Sequence, residues 1–232
     1  GEVSSAGFRN YFLVLLAVKV PLAGWLGWLG GSAVLLRTRW REAVVLLAFP
    51  VFCLLWLSLM SKTQLGLRYI LPIFPFLFVA AGALAPRLAQ VPWGRLALGL
   101  LVASQIAAAA WIHPHYLMYF NALSGGPAAG PRYSVISDDW GQDVSLLARY
   151  VREHGVTDLA YAHYGTARPS AYGIKNFRRL RCGTPVGGTV AIHVAEMKRP
   201  MNGPPDCYQW LDAYTPVARL GHSIWVYALP PP

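Results

Sequence analysis

Acidic residues are scarce in this sequence. Asp plus Glu number 10, against 20 Lys plus Arg, in 232 residues, for a formal net charge of +10. Charged residues of either sign make up 13%, roughly half the share in an ordinary soluble domain. That shortage excludes a disordered chain, an acidic tail protein and a coiled coil, which all need many charges. There is no internal repeat and no long low-complexity stretch. No serine nucleophile elbow is present. The glycine pairs Gly125-Gly126 and Gly187-Gly188 fit neither a phosphate-binding loop nor a dinucleotide fingerprint. Hydrophobic residues, by contrast, reach 55%, and the mean hydropathy of +0.39 points to membrane segments.

The charge is unevenly spread. Residues 1–112 hold nine Lys/Arg and two acids, Glu2 and Glu42. Residues 113–232 hold eleven Lys/Arg, the other eight acids and all six histidines. The chain therefore reads as two domains, a transmembrane region over 1–112 and a water-facing region over 113–232. It starts with Gly, so processing or cutting of the N-terminus is expected. No retained signal peptide is read, because no charged segment precedes a short apolar core with a cleavage site.

Four apolar runs, about 11–36, 43–60, 69–85 and 94–112, predict four transmembrane helices. Arg37, Arg39 and Arg41 separate the first two runs, and Arg87 and Arg95 the last two. Basic loops stay in the cytoplasm. The N-terminus, the 61–68 loop and everything after 112 are then expected outside. Arg9, Lys62 and Arg68 lie on that other side. Trp25, Trp28, Trp93 and Trp111 fall near the predicted helix ends, where aromatic belts form.

Three features of this half admit more than a scaffold role. Lys19 lies within the first run and precedes Pro21. Such a lysine either snorkels to the surface or faces a cavity. Pro72 and Pro75 can kink the third run. The segment Ser61-Lys62-Thr63-Gln64-Leu65-Gly66-Leu67-Arg68-Tyr69 places two cations beside hydrogen-bonding groups. It reads either as a headgroup anchor or as a lipid-phosphate site.

The second half predicts a small α/β domain. A short helix is expected over 116–123, then strands over 133–137, 159–164, 189–194 and 222–229. A helix from about 144 to His154 has apolar residues at helical spacing, and Gly155 suits its stop. Helical turns are expected at 169–172 and 208–214.

Asp138, Asp139 and Asp143 cluster before the 144–154 helix. They can cap it, bind a divalent cation or act as acid and base, and capping is the favoured reading. His113 and His115 form a pair without a third ligand at zinc spacing. Cys53 reads as packing. Cys182 and Cys207 both fall outside the membrane and are candidates for a disulfide. Arg178, Arg179 and Arg181 form a solvated or lipid-facing patch. No nucleic-acid partner is expected.

Several strings, in order, resemble one family. They include Lys19-Val20-Pro21, Lys62-Thr63, Gly66-Leu67-Arg68-Tyr69-Ile70-Leu71-Pro72 and Pro75-Phe76. His115-Tyr116-Leu117, Tyr119-Phe120-Asn121 and Gly125-Gly126-Pro127 follow. The most specific is Asp139-Trp140-Gly141-Gln142-Asp143. Tyr164-Gly165-Thr166, Trp210-Leu211, Pro216-Val217-Ala218, Gly221, Ser223-Ile224 and Val226-Tyr227 complete the match. Together they resemble the polyprenyl-phosphate-dependent glycosyltransferases, the multispanning enzymes akin to protein O-mannosyltransferases and the aminoarabinose transferase of lipid A.

The resemblance implies a bacterial inner-membrane enzyme that takes sugar from a polyprenyl-phosphate carrier on the outer face, with inversion. It implies a carboxylate base, often helped by a divalent metal. It implies Lys62, Arg68 and Tyr69 as lipid-phosphate contacts, and Asp139, Trp140, Gln142 and Asp143 as the family's external motif. The family's catalytic acid sits in a first external loop that has no counterpart here. The chain is therefore expected to be a C-terminal portion of such an enzyme, inactive without its other half. The alternative is a non-catalytic, glycosyltransferase-like subunit of a larger membrane complex. An independent enzyme using Asp138, Asp139 or Asp143 ranks last. Membrane lipids, a polyprenyl-phosphate sugar and another membrane chain are the expected partners.

Overall fold

The structure is a computed structural model that describes residues 7–133, 138–198, 200 and 203–230. Glu2, residues 134–137 of the expected 133–137 strand, and the last two prolines lie outside the described residues. The chain divides into two compact units, Glu2–Gly125 and Gly126–Pro232. Residues 113–125 thus group with the helices.

The first unit begins with α1 (Tyr11–Lys19) and α2 (Leu22–Thr38), followed by α3 (Trp40–Met60). Three stretches are long and apolar enough to cross a membrane: Trp40–Met60, Leu71–Leu88 and Gly94–Ile112. The second contains α4 (Phe74–Gly82) and α5 (Ala85–Leu88), and the third is α6 (Gly94–Ile112). The expected first helix over 11–36 is not one rod. It is broken into α1 and α2, bent by 114°, and counts as a fourth span only if the pair is taken together. Pro21 is the cause. Its ring forbids a continuing helix, and the residue before it is pushed to extended backbone; Val20 has ψ 131°.

The core of this unit gathers Phe12, Leu16 and Val20 with Trp28, Ile70 and Ile73. Trp28 meets Phe74 edge to face at 5.4 Å between centroids. On α2, Gly31 lies against the Ala80 backbone, where a Cβ would overlap the Ala80 carbonyl. Small residues let apolar helices approach closely where lipid offers no hydrophobic drive.

The second unit is a mixed five-stranded sheet, ordered β2-β1-β3-β5-β4. Its strands are β1 (Leu159–Ala162), β2 (Arg178–Arg179), β3 (Gly188–His193), β4 (Ala218–Leu220) and β5 (Ile224–Leu229). β1 runs parallel to β2 and β3; β5 runs antiparallel to β3 and β4. Tyr161 pairs with Ala191 in the β1/β3 register. Helices α7 (Gly130–Tyr133), α8 (Val144–Glu153) and α9 (Val194–Lys198) complete it. Tyr133 is helical, not the start of a strand. The expected helix over 116–123 is two short 3-10 turns, Tyr116–Met118 and Ala122–Ser124.

Side chains alternate across the sheet. Leu159, Tyr161 and Ala191 pack with Val144 and Leu147 of α8 on one face. Ala160, Ala162, Val190 and Ile192 pack with Cys207, Tyr208 and Leu211 on the other. Cys182 and Cys207 form a disulfide with Cα atoms 4.6 Å apart.

Candidate functional site

In the helical unit the polar geometry collects at the break between α1 and α2. A helix end leaves its last carbonyls without partners, and in a lipid setting each must be met internally. Asn121 meets them. Its backbone N–H donates to Val18 O at 2.8 Å. Its side-chain amide donates to Ala17 O at 2.6 Å and Val20 O at 2.9 Å. Its Oδ1 accepts from Ser124 N–H at 3.1 Å.

Lys19 is 8% exposed. Its ammonium donates to Leu117 O at 2.7 Å and lies 3.8 Å from the Phe120 ring centroid. The segment 117–121 therefore closes over the break and holds the lysine by a carbonyl and a π-face.

The 61–69 loop is tied to the chain before α1. Gln64 Nε2 donates to Phe8 O at 2.6 Å, and Phe8 N–H donates to Gln64 Oε1 at 3.0 Å. Gly66 N–H donates to the Tyr11 hydroxyl at 2.9 Å. Gly66 has φ +82°, the left-handed region where glycine suffers no Cβ penalty. Lys62 and Arg68 are exposed, and Tyr69 is half-buried. The Arg68 guanidinium lies 5.5 Å from the Tyr69 ring centroid. The loop thus presents two cations from a pinned frame.

Glu42 is far from them. It sits in the first turn of α3, which ends at Met60, and 18 residues of rise span roughly 27 Å. Glu42 is instead paired with Arg39 at 3.3 Å, both exposed. Among the described residues of this unit no other carboxylate side chain exists.

In the sheet unit the motif Asp139-Trp140-Gly141-Gln142-Asp143 turns its two carboxylates inward and leaves Trp140 and Gln142 exposed. Asp139 and His193 are both 0% exposed. Asp139 Oδ1 accepts from Gly141 N–H at 3.0 Å, and Oδ2 pairs with His193 Nδ1 at 2.6 Å. His193 Nε2 then meets the Tyr161 hydroxyl at 2.6 Å. That hydroxyl lies 3.2 Å from His163 Nδ1. The row runs Asp139, His193, Tyr161, His163 along the carboxyl ends of the parallel strands β1 and β3.

Burial pushes the Tyr161 phenol far up, with the Asp139 charge adding to it. Burial pushes the half-exposed His163 imidazole down, and His193 adds to that. Asp139 and the backbone of Gly165 and Ala167 oppose it.

Asp143 stands at the N-cap position of α8, yet among the described residues its side chain makes no cap hydrogen bond. It accepts instead from Ser223 Oγ at 2.6 Å. Gly221, at φ +56°, leaves the room; a Cβ there would overlap the Asp143 carboxylate. The capping reading is therefore corrected: the carboxylate stitches α8 to the turn before β5. Trp140 N–H donates to Gln142 Oε1 at 2.7 Å, and Gln142 Nε2 to Asp138 O at 3.0 Å. These bonds shape the turn.

Asp139 and Asp143 thus look to different partners. Among the described residues no group of three His, Cys, Asp or Glu side chains could hold a metal. Among the described residues the divalent metal implied by the family resemblance finds no such group. His113 Nδ1 is 2.7 Å from the Tyr116 hydroxyl.

Sequence reasoning missed Asn121 as a carbonyl acceptor-satisfier, and missed His193, Tyr161 and His163. Tyr161 and His163, at i and i+2 of the strand expected over 159–164, were the one available signal. No family model matches the chain, and neither does any curated protein or solved structure compared with it.

Proposed function

We propose that this chain is the carrier-facing portion of an inverting membrane glycosyltransferase that uses a polyprenyl-phosphate sugar, and that it is inactive by itself. The observation that carries the reading is the pinned loop from Ser61 to Tyr69. It offers an ammonium and a guanidinium at one end of α3, fixed by Gln64, Tyr11 and Gly66. A phosphate monoester or diester suits that pair, with Arg68 as a planar fork and Lys62 as a point charge. Tyr69 sets the guanidinium against an aromatic face.

The loop lies at the end of α3 opposite the arginines at 37, 39 and 41. By the charge rule it belongs to the extracytoplasmic side of a bacterial inner membrane, as does the α/β unit. Glu42, the one carboxylate among the described residues of the helical unit, is about 27 Å away along α3. In this reading a carboxylate from elsewhere, in this protein or in a partner chain, completes the site.

A second reading has its own support. The two carboxylates of the most family-like string are spent internally, Asp139 on His193 and Asp143 on Ser223. A motif retained for folding alone suits a non-catalytic, glycosyltransferase-like subunit of a larger membrane complex.

Gentle detergent extraction and intact-assembly mass spectrometry separate the two. The transferase reading expects a partner chain, or further sequence of the same chain, with an acidic external loop, and sugar transfer by that assembly. An assembly that lacks such a loop and transfers no sugar refutes it in favour of the subunit reading.

A further inference from the structure

The other end of the helical unit holds a groove of about 540 Å³, within the usual size of a small-molecule site. It lies between α2, α3 and α4. Leu35, Leu46 and Phe76 are its half-buried walls, and Val45 and Val79 its exposed rim. Phe76 is braced by Phe49 at 4.9 Å between ring centroids. The lining is mainly apolar, and its charged residues, Arg41 and Glu42, stand together at the first turn of α3.

That mouth is basic. Residues 37–42 read Arg-Thr-Arg-Trp-Arg-Glu, three cations against one anion. Glu42 is taken by Arg39 at 3.3 Å. The Arg41 guanidinium lies 5.5 Å from the Trp40 ring centroid, and Trp40 is exposed, as an interfacial tryptophan is. An apolar slot that opens onto a cationic, tryptophan-flanked rim matches one ligand chemistry: an acyl chain joined to an anionic phosphate.

We propose that this groove is a binding site for an anionic glycerophospholipid of the leaflet at the arginine-bearing end. An acyl chain lies along Leu35, Leu46 and Phe76, and the phosphate meets Arg41, with Arg37 adding to the local field. The fit to a neighbouring transmembrane helix is poorer, because such a helix would bury Arg41 without a counter-ion. The proposal is independent of the transferase reading, whose carrier contacts lie at the far end of α3.

The test uses the full chain in detergent. Phosphatidylglycerol and phosphatidylcholine of equal chain length are titrated and followed by native mass spectrometry. The expected result is preferential retention of phosphatidylglycerol, by about fivefold for each arginine engaged. Arg41→Gln removes most of that preference, and Val45→Trp, which fills the groove, weakens both lipids. Equal retention of the two lipids, or a preference that survives Arg41→Gln, overturns the proposal. If Arg41→Gln does not fold, Val45→Trp alone decides: unchanged phosphatidylglycerol retention then refutes it.

Discussion

The two units treat polar groups in opposite ways. In the helical unit, polar side chains gather where the backbone fails, at the α1/α2 break. Asn121 and Lys19 there serve main-chain carbonyls and a ring face. In the sheet unit the backbone is satisfied by its ladder, and side chains satisfy one another in a row from Asp139 to His163. The difference follows from the solvent each can use. A helix in lipid has no water to accept a stray amide. A sheet with two packed faces can bury a carboxylate if every lone pair finds a donor.

The largest expected effect breaks the sheet unit's row. Asp139→Ala leaves the His193 ring and the Gly141 amide buried without their acceptor. Loss of one partner of a buried polar pair costs about 3 kcal/mol. Thermal unfolding of the full chain in detergent, followed by near-ultraviolet circular dichroism, should register a clear drop. An unchanged midpoint would mean that the row is slack.

A smaller effect is expected in the helical unit. Asn121→Ala strips donors from Ala17 O and Val20 O, at about 1–2 kcal/mol. Water or backbone shifts relieve part of that cost, which is why it ranks below the buried carboxylate. Limited proteolysis near residues 20–22 should accelerate in the variant. Equal rates in wild type and variant would show that the break is held by packing alone.

The smallest effect is one of pH. The folded His163 imidazole titrates below its ordinary value near 6.5, because burial disfavours its charge. Between those two values the unfolded chain binds a proton that the folded chain refuses. Stability is therefore present above about 6.5 and is lost as the pH falls through that window. Half exposure keeps the effect small. His163→Gln should flatten the acid limb of a midpoint-against-pH curve, and an identical limb would remove His163 from the account.

The sequence disclosed what repeats and hid what does not. Apolar runs of fifteen to twenty residues announce α3 and α6 because every residue votes for the same element. Helix α8 was legible from the spacing of Val144, Leu147 and Ala148, all of which are buried. The bend at Pro21 was hidden inside a uniformly apolar run. One proline can kink a helix or end it; here the helix ends, and Asn121, a hundred residues later, meets the carbonyls left open. The strands β2 and β4, of two and three residues, are too short to carry a period. In the sheet unit, Asp139 and His193 are 54 residues apart, and the register of β1 against β3 brings Tyr161 to the other nitrogen of the His193 ring. Capping was the local reading of Asp143; Ser223, 80 residues on, outbids the nearby amides.

The central proposal rests on the loop from Lys62 to Tyr69, so the most direct measurement is carrier binding there. A short-chain polyprenyl phosphate is titrated against the full chain in detergent, with Lys62→Ala/Arg68→Ala as the comparison. The account predicts saturable binding by the wild type, weakened by about 25-fold in the double variant, at about fivefold for each cation lost near a phosphate. Binding of equal strength in both proteins, or no saturable binding in either, would contradict it.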